Sequence, residues 1–338
     1  RRYNLDTPLI ALVAGLLISN FIRLPEWLQI AFRVEFYIKI GIVLLGASLP
    51  LTLLLWGGPI AILQASIISI VTFLVIYRTG RFLELDRRLA AMLAAGGAVC
   101  GVSAIAAVAG AVRARREDIT VAVAIVVLWA LFLIGGLPIL ARAWFLPAGV
   151  AGAWIGSSQF ADAAGFAAAQ TYGAMLRHGT AHGTPDQVLT AFTLVKVVGR
   201  DMWVGVWAFA LSLVVATRWN DGGPRQKPSV SDIWSRFPKF IIGFVICMLL
   251  VSLAAHGETF RQFNEALRPI LVAPIEALRS WAFSFSFLSI GLTSRIKGFG
   301  TVTANAFIAF STGVLINLVL GFLLSAVVFQ AHWTHMTP

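Results

Sequence analysis

LAAMLAAGGAVCGVSAIAAVAGAV, residues Leu89 to Val112, is long enough to cross a bilayer yet is built almost wholly from Ala, Gly and other small residues. Gly96, Gly97 and Gly101 fall within six residues at its middle, and each weakens a helix by about 1 kcal/mol relative to Ala. In lipid, a broken backbone is tolerated only where protein or a watery cavity covers it. The stretch therefore reads as a discontinuous element buried among other helices, with backbone groups free to bind something, as at the midplane sites of transporters. The competing reading is an unbroken helix whose glycines let a neighbour approach closely.

Working outward, the rest of the chain is a membrane protein's. Of 338 residues, 59% are hydrophobic and 12% charged, with a mean hydropathy of +0.85. A soluble domain carries about twice that charge. Long apolar runs separated by short charged stretches mark an all-α polytopic membrane protein. The net charge of +11 would suggest nucleic acid in a soluble chain. Here Lys and Arg belong to cytoplasmic loops and headgroup contacts, and without an aromatic-and-basic stripe no nucleic acid is expected. Cys100 and Cys247 both lie in apolar runs, with no CxxC pattern, and the five histidines show no HExxH spacing, so neither metal nor cofactor is expected. The chain opens on Arg1 and shows no signal peptide.

Ten apolar segments are expected, at 8–22, 36–56, 59–77, 89–112, 119–140, 148–176, 187–217, 237–256, 267–296 and 303–330. The segment 148–176 is the second unusual one, with Gly156-Ser157-Ser158-Gln159-Phe160-Ala161-Asp162 at its centre. Two arrangements are open: both unusual segments cross, or both enter and leave on one side. The second puts more Lys and Arg on one face and suits the positive-inside rule better. Either way the termini fall outside and 218–239, with Gly222-Gly223-Pro224, falls in the cytoplasm as a linker. It would separate an N-terminal membrane half, 1–217, from C-terminal membrane segments, 240–338. The segment 187–217 starts clearly: Thr184 as N-cap, Pro185 at N1 and Gln187 at N3. Lys196 is then about 16 Å along the axis, near the bilayer middle. Within 267–296, Arg268-Pro269 and Ala273-Pro274 mark bends. The echo between Leu45-Gly46-Ala47-Ser48 and Ser289-Ile290-Gly291-Leu292-Thr293 hints at an internal, inverted repeat.

Charges inside spans are costly and are functional suspects. Lys196 and Arg200 at i and i+4 repel each other, so burying both needs an anion: Asp162, Asp201 or a bound substrate. One reading is an anion site with Lys196 and Arg200 as walls; the other is a structural ion-pair cluster. Asp162 reads as a proton carrier, as a cation ligand, or as a salt-bridge partner or helix cap; burial disfavours a carboxyl's charged form. Ser103, Ser157, Ser158 and Gln159 are candidate donors to an oxyanion, and half-helix N-termini at Gly96–Ser103 and Gly156–Gln159 would add backbone N–H groups. Gly97, Cys100 and Gly101 complete the expected binding set, Cys100 as a small packing residue without a nearby His. Asn305, Asn317, Ser284, Ser286 and Ser289 read as interhelical glue.

Several stretches resemble the YeiH family, assigned as sulfate exporters. They are Lys39–Gly46, Cys100-Gly101-Val102-Ser103-Ala104-Ile105, Ile119–Val127, Ile155-Gly156-Ser157-Ser158, the Lys196…Arg200 pair and Gly291-Leu292-Thr293. They occur in the family's order and cover most of 36–210 plus 285–298. The family follows the Gly-Ser pair with a His and an acid, where this chain has Phe160-Ala161 and an acid only at Asp162. It also carries a further hydrophobic segment ahead of 8–22. The resemblance implies a secondary transporter, grouped with bile-acid symporters and cation/proton antiporters, with inverted repeats and broken helices meeting at the midplane.

The expectation is a multi-pass bacterial inner-membrane transporter of a small anion (sulfate, sulfonate or carboxylate). It would work by alternating access about 96–103, 157–162, 196–200 and 291–295. Its coupling ion would be H+ or Na+ at Asp162, and a homo-oligomer is compatible with the sequence. The alternatives are a cation/proton antiporter with Asp162 as ion ligand, and a membrane-embedded enzyme or structural subunit. An enzyme would show paired carboxylates, His clusters or a nucleophile with its base, and none is visible.

Overall fold

The computed structural model describes residues 7–22, 31–48, 51–176, 182–219, 239–254, 272–293 and 303–336, together with Pro25, Leu28 and Ile270. Among them every regular element is helical. In chain order these are α1 (Thr7–Phe21), α2 (Val34–Leu45) with a short 3-10 turn (Gly46–Ser48), α3 (Leu51–Phe82), α4 (Arg87–Ala98), α5 (Val102–Val112), α6 (Arg116–Ala143), α7 (Ala148–Ser158) and α8 (Asp162–Leu176). They are followed by α9 (Pro185–Thr193), a π-helical segment π1 (Leu194–Arg200), α10 (Trp203–Arg218), α11 (Phe240–Ala254), α12 (Ala273–Thr293), α13 (Ala304–Phe322), π2 (Leu323–Val328) and α14 (Gln330–Thr334). Almost all of the proposed 218–239 linker, and the Arg268-Pro269 bend, lie outside the described residues.

Two compact units are present: Arg1–Gly58 with Lys239–Ile296 and Thr337–Pro338, and Pro59–Pro238 with Lys297–Met336. In the first, α12 packs on α1 and α2. Gly15 lets α1 close onto the α12 backbone, where a Cβ would come within 2.9 Å of Gly291 Cα. Ser19 Oγ donates to Gly291 O at 3.0 Å. Gly291 of the expected 291–295 group thus belongs to this helix contact, while 294 and 295 lie outside the described residues.

Among the described residues four helices are long and apolar enough to cross a membrane, Leu55–Phe82 (which begins in the first unit), Glu117–Ala143, Pro185–Val215 and Ala304–Val328, and they build the second unit. The expected boundary between 36–56 and 59–77 is replaced by one continuous helix, α3, that runs through Gly57-Gly58-Pro59. A proline is tolerated inside a membrane helix because neighbours re-satisfy the freed carbonyl. The capping box at Thr184 forms as the sequence implies, with Gln187 N donating to Thr184 Oγ1 and Thr184 N to Gln187 Oε1.

Between these spans lie the two unusual segments, and each is a helical hairpin. Arg88 Nη1, at the start of α4, donates to Arg113 O just past the end of α5, at 3.1 Å. Midway, Gly96 faces Ile105, whose Cγ1 would lie 3.0 Å from an added Cβ. Tyr172 Oη, late in α8, donates to Leu146 O just before α7. Both ends of each hairpin therefore lie together. The 28-residue α6, about 42 Å long at 1.5 Å per residue, joins the end of one hairpin to the start of the other, so the two enter from opposite ends of the unit. The arms have 11 to 15 residues and reach roughly 16 to 22 Å, against about 30 Å for a bilayer core. Of the ten expected segments, 89–112 and 148–176 each double back instead of running straight through the unit.

Candidate functional site

The hairpin tips are the two breaks, residues 99–101 and 159–161, and they touch. A Cβ on Gly101 would lie 3.6 Å from Phe160 Cδ2 and 3.7 Å from Ala161 Cα. Gly101 takes φ +67°, ψ −118°, a backbone that glycine adopts without penalty and other residues avoid. Phe160 is buried and meets Phe310 edge-on, the ring centroids 5.1 Å apart. From Leu89 to Ala98 and from Ala148 to Ser158 every residue is buried, which is the protein cover that irregular backbone needs at this depth.

π1 passes beside the tips and carries the charges. Lys196 Nζ pairs with Asp162 Oδ1 at the start of α8 and with Asp201 Oδ1 at 2.5 Å. The Lys196 side chain is fully buried and that of Asp201 2% exposed, whereas Asp162 keeps 15% of its side-chain surface open. Asp201 Oδ2 is buried and accepts no hydrogen bond among the described residues. An α-helical register does not bring residues five apart onto one face, but the i→i+5 bonding of a π-helix does; Asp201 N donates to Lys196 O. The wide turn is thus what sets Asp201 under Lys196.

Arg200 does something different. Nε donates to Ala98 O at 2.8 Å, Nη2 to Gly97 O, and Nη1 to Ser157 O at 2.6 Å and to Gln159 O at 3.5 Å. One guanidinium fork ties the carbonyl end of α4 to the carbonyl end of α7. This corrects the expected polarity: Gly97 and Ser157–Gln159 present C-terminal carbonyls, and the helix N-termini at the tips are those of α5 at Val102 and α8 at Asp162. The side-chain donors are likewise engaged. Ser157 Oγ donates to Ala153 O and Ser158 Oγ to Asn317 O; Gln159 Nε2 donates to Ala130 O. Gln64 Nε2 donates to both Ser157 Oγ and Ser325 Oγ at 2.7 Å, and Asn317 Nδ2 adds a bond to Gly97 O. Asn317 is the interhelical glue that its residue type suggests, placed against the first tip. Cys100 is buried at that tip, and Ser103 lies half-buried in the first turn of α5. No group of three or more His, Cys, Asp and Glu is placed to hold a metal among the described residues.

Each formal charge finds its complement. Lys196 and Arg200 sum to +2 and Asp162 and Asp201 to −2. The two C-terminal helix ends at Arg200 and the two N-terminal ends near Asp162, about half a charge each, also cancel. Sequence reading named Asp201 as a possible counter-anion but did not count it among the binding or coupling residues. Its position five residues after Lys196 was visible, but the π turn that aligns the two was not.

Residues 1–309 match the sequence profile of the family described as Conserved hypothetical protein 698. The chain belongs to this family. Its relatives are named UPF0324 membrane proteins. That of Rhodopirellula baltica is 31% identical over 98% of this chain and 59% of its own length. That of Nitrosomonas europaea is 31% identical over 86% and 63%, and one from Nitratidesulfovibrio vulgaris is 28% identical over 97% and 55%. The chain spans about three-fifths of the length of these UPF0324 relatives. No solved structure matches the chain. The resemblance drawn from Cys100–Ile105 and the companion stretches led to this same YeiH-like UPF0324 family, and the chain is a membrane protein of it.

Proposed function

We propose that this protein is a secondary active transporter of a small anion, with its site at the meeting of the two hairpin tips. The observation that carries the reading is the buried Asp162–Lys196–Asp201 triad set against two helix N-termini at mid-depth. N-terminal helix ends attract anions, and α5 and α8 both begin at the tips. Asp162, the partly open member, is the coupling group. While both carboxylates are ionised the cluster is neutral and has little hold on an anion; protonating one leaves an excess of +1 for the anion to match. Both tips and all four charges lie in one compact unit, so a movement of that unit carries the site whole. Its Arg-rich end (Arg78, Arg81, Arg87, Arg88, Arg113 and Arg115) is the cytoplasmic one by the positive-inside rule, in a bacterial inner membrane.

A second reading is cation/proton antiport, favoured by one observation: two carboxylates face one lysine and an oxygen of Asp201 has no hydrogen-bond partner among the described residues. Thermal stabilisation of the purified protein by sulfate, a sulfonate, a carboxylate or Na+, at two pH values, separates the two. A ligand of the folded state adds RT ln(1 + [L]/Kd). An anion shift that grows at lower pH and vanishes in Lys196→Ala fits the anion reading, and liposome flux of that anion then tests transport. A shift with Na+ alone sinks it in favour of antiport.

A further inference from the structure

We propose that Asp201 is the store for the coupled proton and that Lys196 relays it there from Asp162. The proposal rests on the proton-coupled reading above and names the atoms that carry the proton. Three observations lead to it. Asp162 is the triad member with open surface, at 15%, whereas Asp201 is sealed at 2%. Among the described residues no hydrogen bond joins the two carboxylates directly, and Lys196 Nζ is bonded to an oxygen of each. And Asp201 Oδ2 is buried with no donor among the described residues. An ionised oxygen in that position is costly, and a proton removes the charge.

The step balances. A proton arriving on Asp162 meets the Lys196 ammonium. Nζ gives one of its protons to Asp201 Oδ1 and takes the proton from the Asp162 carboxyl. Lys196 ends as an ammonium again, the negative charge has passed from Asp201 to Asp162, and the four side chains sum to +1 before and after. The charged and titratable groups facing Asp201 are Lys196 and Arg200 from π1 and Asp162 from α8, with Cys100 of the first tip beside the two cations. Arg200 is spent on backbone carbonyls and cannot deprotonate, so it fixes the field without entering the relay.

The test needs no substrate. Infrared difference spectra of the purified protein in lipid nanodiscs are recorded as the pH is stepped, reading the carbonyl stretch of protonated carboxyls. The proposal expects a band that is lost in Asp201→Asn and that still forms, but more slowly, in Asp162→Asn, where the entry carboxyl is gone. In Lys196→Arg, which keeps the charge but not the transferable proton, that band should rise at least about tenfold more slowly after a pH jump. Carbon-13 aspartate labelling of Asp162→Asn moves the band if it belongs to an aspartate, even if Asp201→Asn does not fold. A band that persists in Asp201→Asn, an Asp162→Asn protein with no labelled band, or an unchanged rate in Lys196→Arg overturns the relay. The two readings fail separately. An Asp201 band with no anion stabilisation sinks the anion reading alone, and anion stabilisation without the band sinks the relay alone.

Discussion

At the scale of single residues, Arg200 and Gly101 do the most positional work. Arg200 holds two hairpin tips by their carbonyls, and a hydrogen bond to a charged donor is worth about 1.5–3 kcal/mol. A lysine keeps the charge but not the planar fork. Arg200→Lys should therefore cost about 3 kcal/mol, seen as a lower unfolding midpoint in detergent, and should lower anion affinity together with stability. Lys196→Ala should lower anion affinity more than it lowers the midpoint, provided the protein keeps its folded elution profile; equal losses in both variants would make Lys196 structural. Gly101→Ala forces a side chain onto a positive φ and to 3.0 Å from Val126 Cγ1, a strain of about 2 kcal/mol; an unchanged midpoint would mean that the tip relaxes freely. These charges and glycines could be read from the sequence because an ionisable residue or a glycine cluster inside a span is conspicuous. What each charge bonds to could not. Lys196 and Arg200, four apart, should share a face in an α-helix, yet the π turn sends Lys196 to carboxylates and Arg200 to backbone carbonyls.

At the scale of elements, π1 is held in place by its fit to α3. Gly199 packs against Ala61, where a Cβ would lie 2.7 Å from Ala61 O. Trp203 and Trp207 of α10 donate to Ser66 and Ser69 of α3 at 3.2 and 2.9 Å. Backbone oxygen cannot step aside as a flexible side chain can. Gly199→Ala should thus push π1 off α3 at a cost of about 1–3 kcal/mol and loosen the Lys196–Asp162 pair; a variant that melts like wild type would show that the contact is not tight. Near the other end of the unit, burial holds the His332 imidazole of α14 below its ordinary value. The folded state then prefers the neutral ring, and the unfolded chain binds the extra proton first. Stability contributed by His332 is present above about pH 6.5 and is lost as the pH falls below it. His332→Gln should flatten that part of the midpoint-versus-pH curve, and an unaltered slope would remove His332 from the account. Helix starts with side-chain caps, such as Thr184, were legible from the sequence because the signal is local. Continuity through Pro59 and the folding back of the two Gly-rich segments were not, because neighbouring helices decide both.

At the scale of the whole molecule, the claim with most consequence is that 89–112 and 148–176 each return to the side they enter from. Composition left crossing and re-entry open; Arg88 meeting Arg113 and Tyr172 meeting Leu146 show that each segment folds back on itself. The consequence can be read in the membrane. With Cys100 and Cys247 replaced by Ser, single cysteines can be placed at Glu84, Arg115, Phe145 and His182, all exposed positions flanking the hairpins. A hairpin puts 84 and 115 on one side and 145 and 182 on the other, with α6 crossing between the pairs. Two simple crossings would instead split each pair. A membrane-impermeant thiol reagent added outside cells should therefore label 145 and 182 and spare 84 and 115, since the positive-inside rule assigns the Arg-rich end to the cytoplasm. Labelling of 84 and 115 with 145 and 182 spared would keep the hairpins and reverse the orientation. One labelled and one protected position within either pair would mean that the segment between them crosses, and the tips could then not meet from opposite sides beside Lys196.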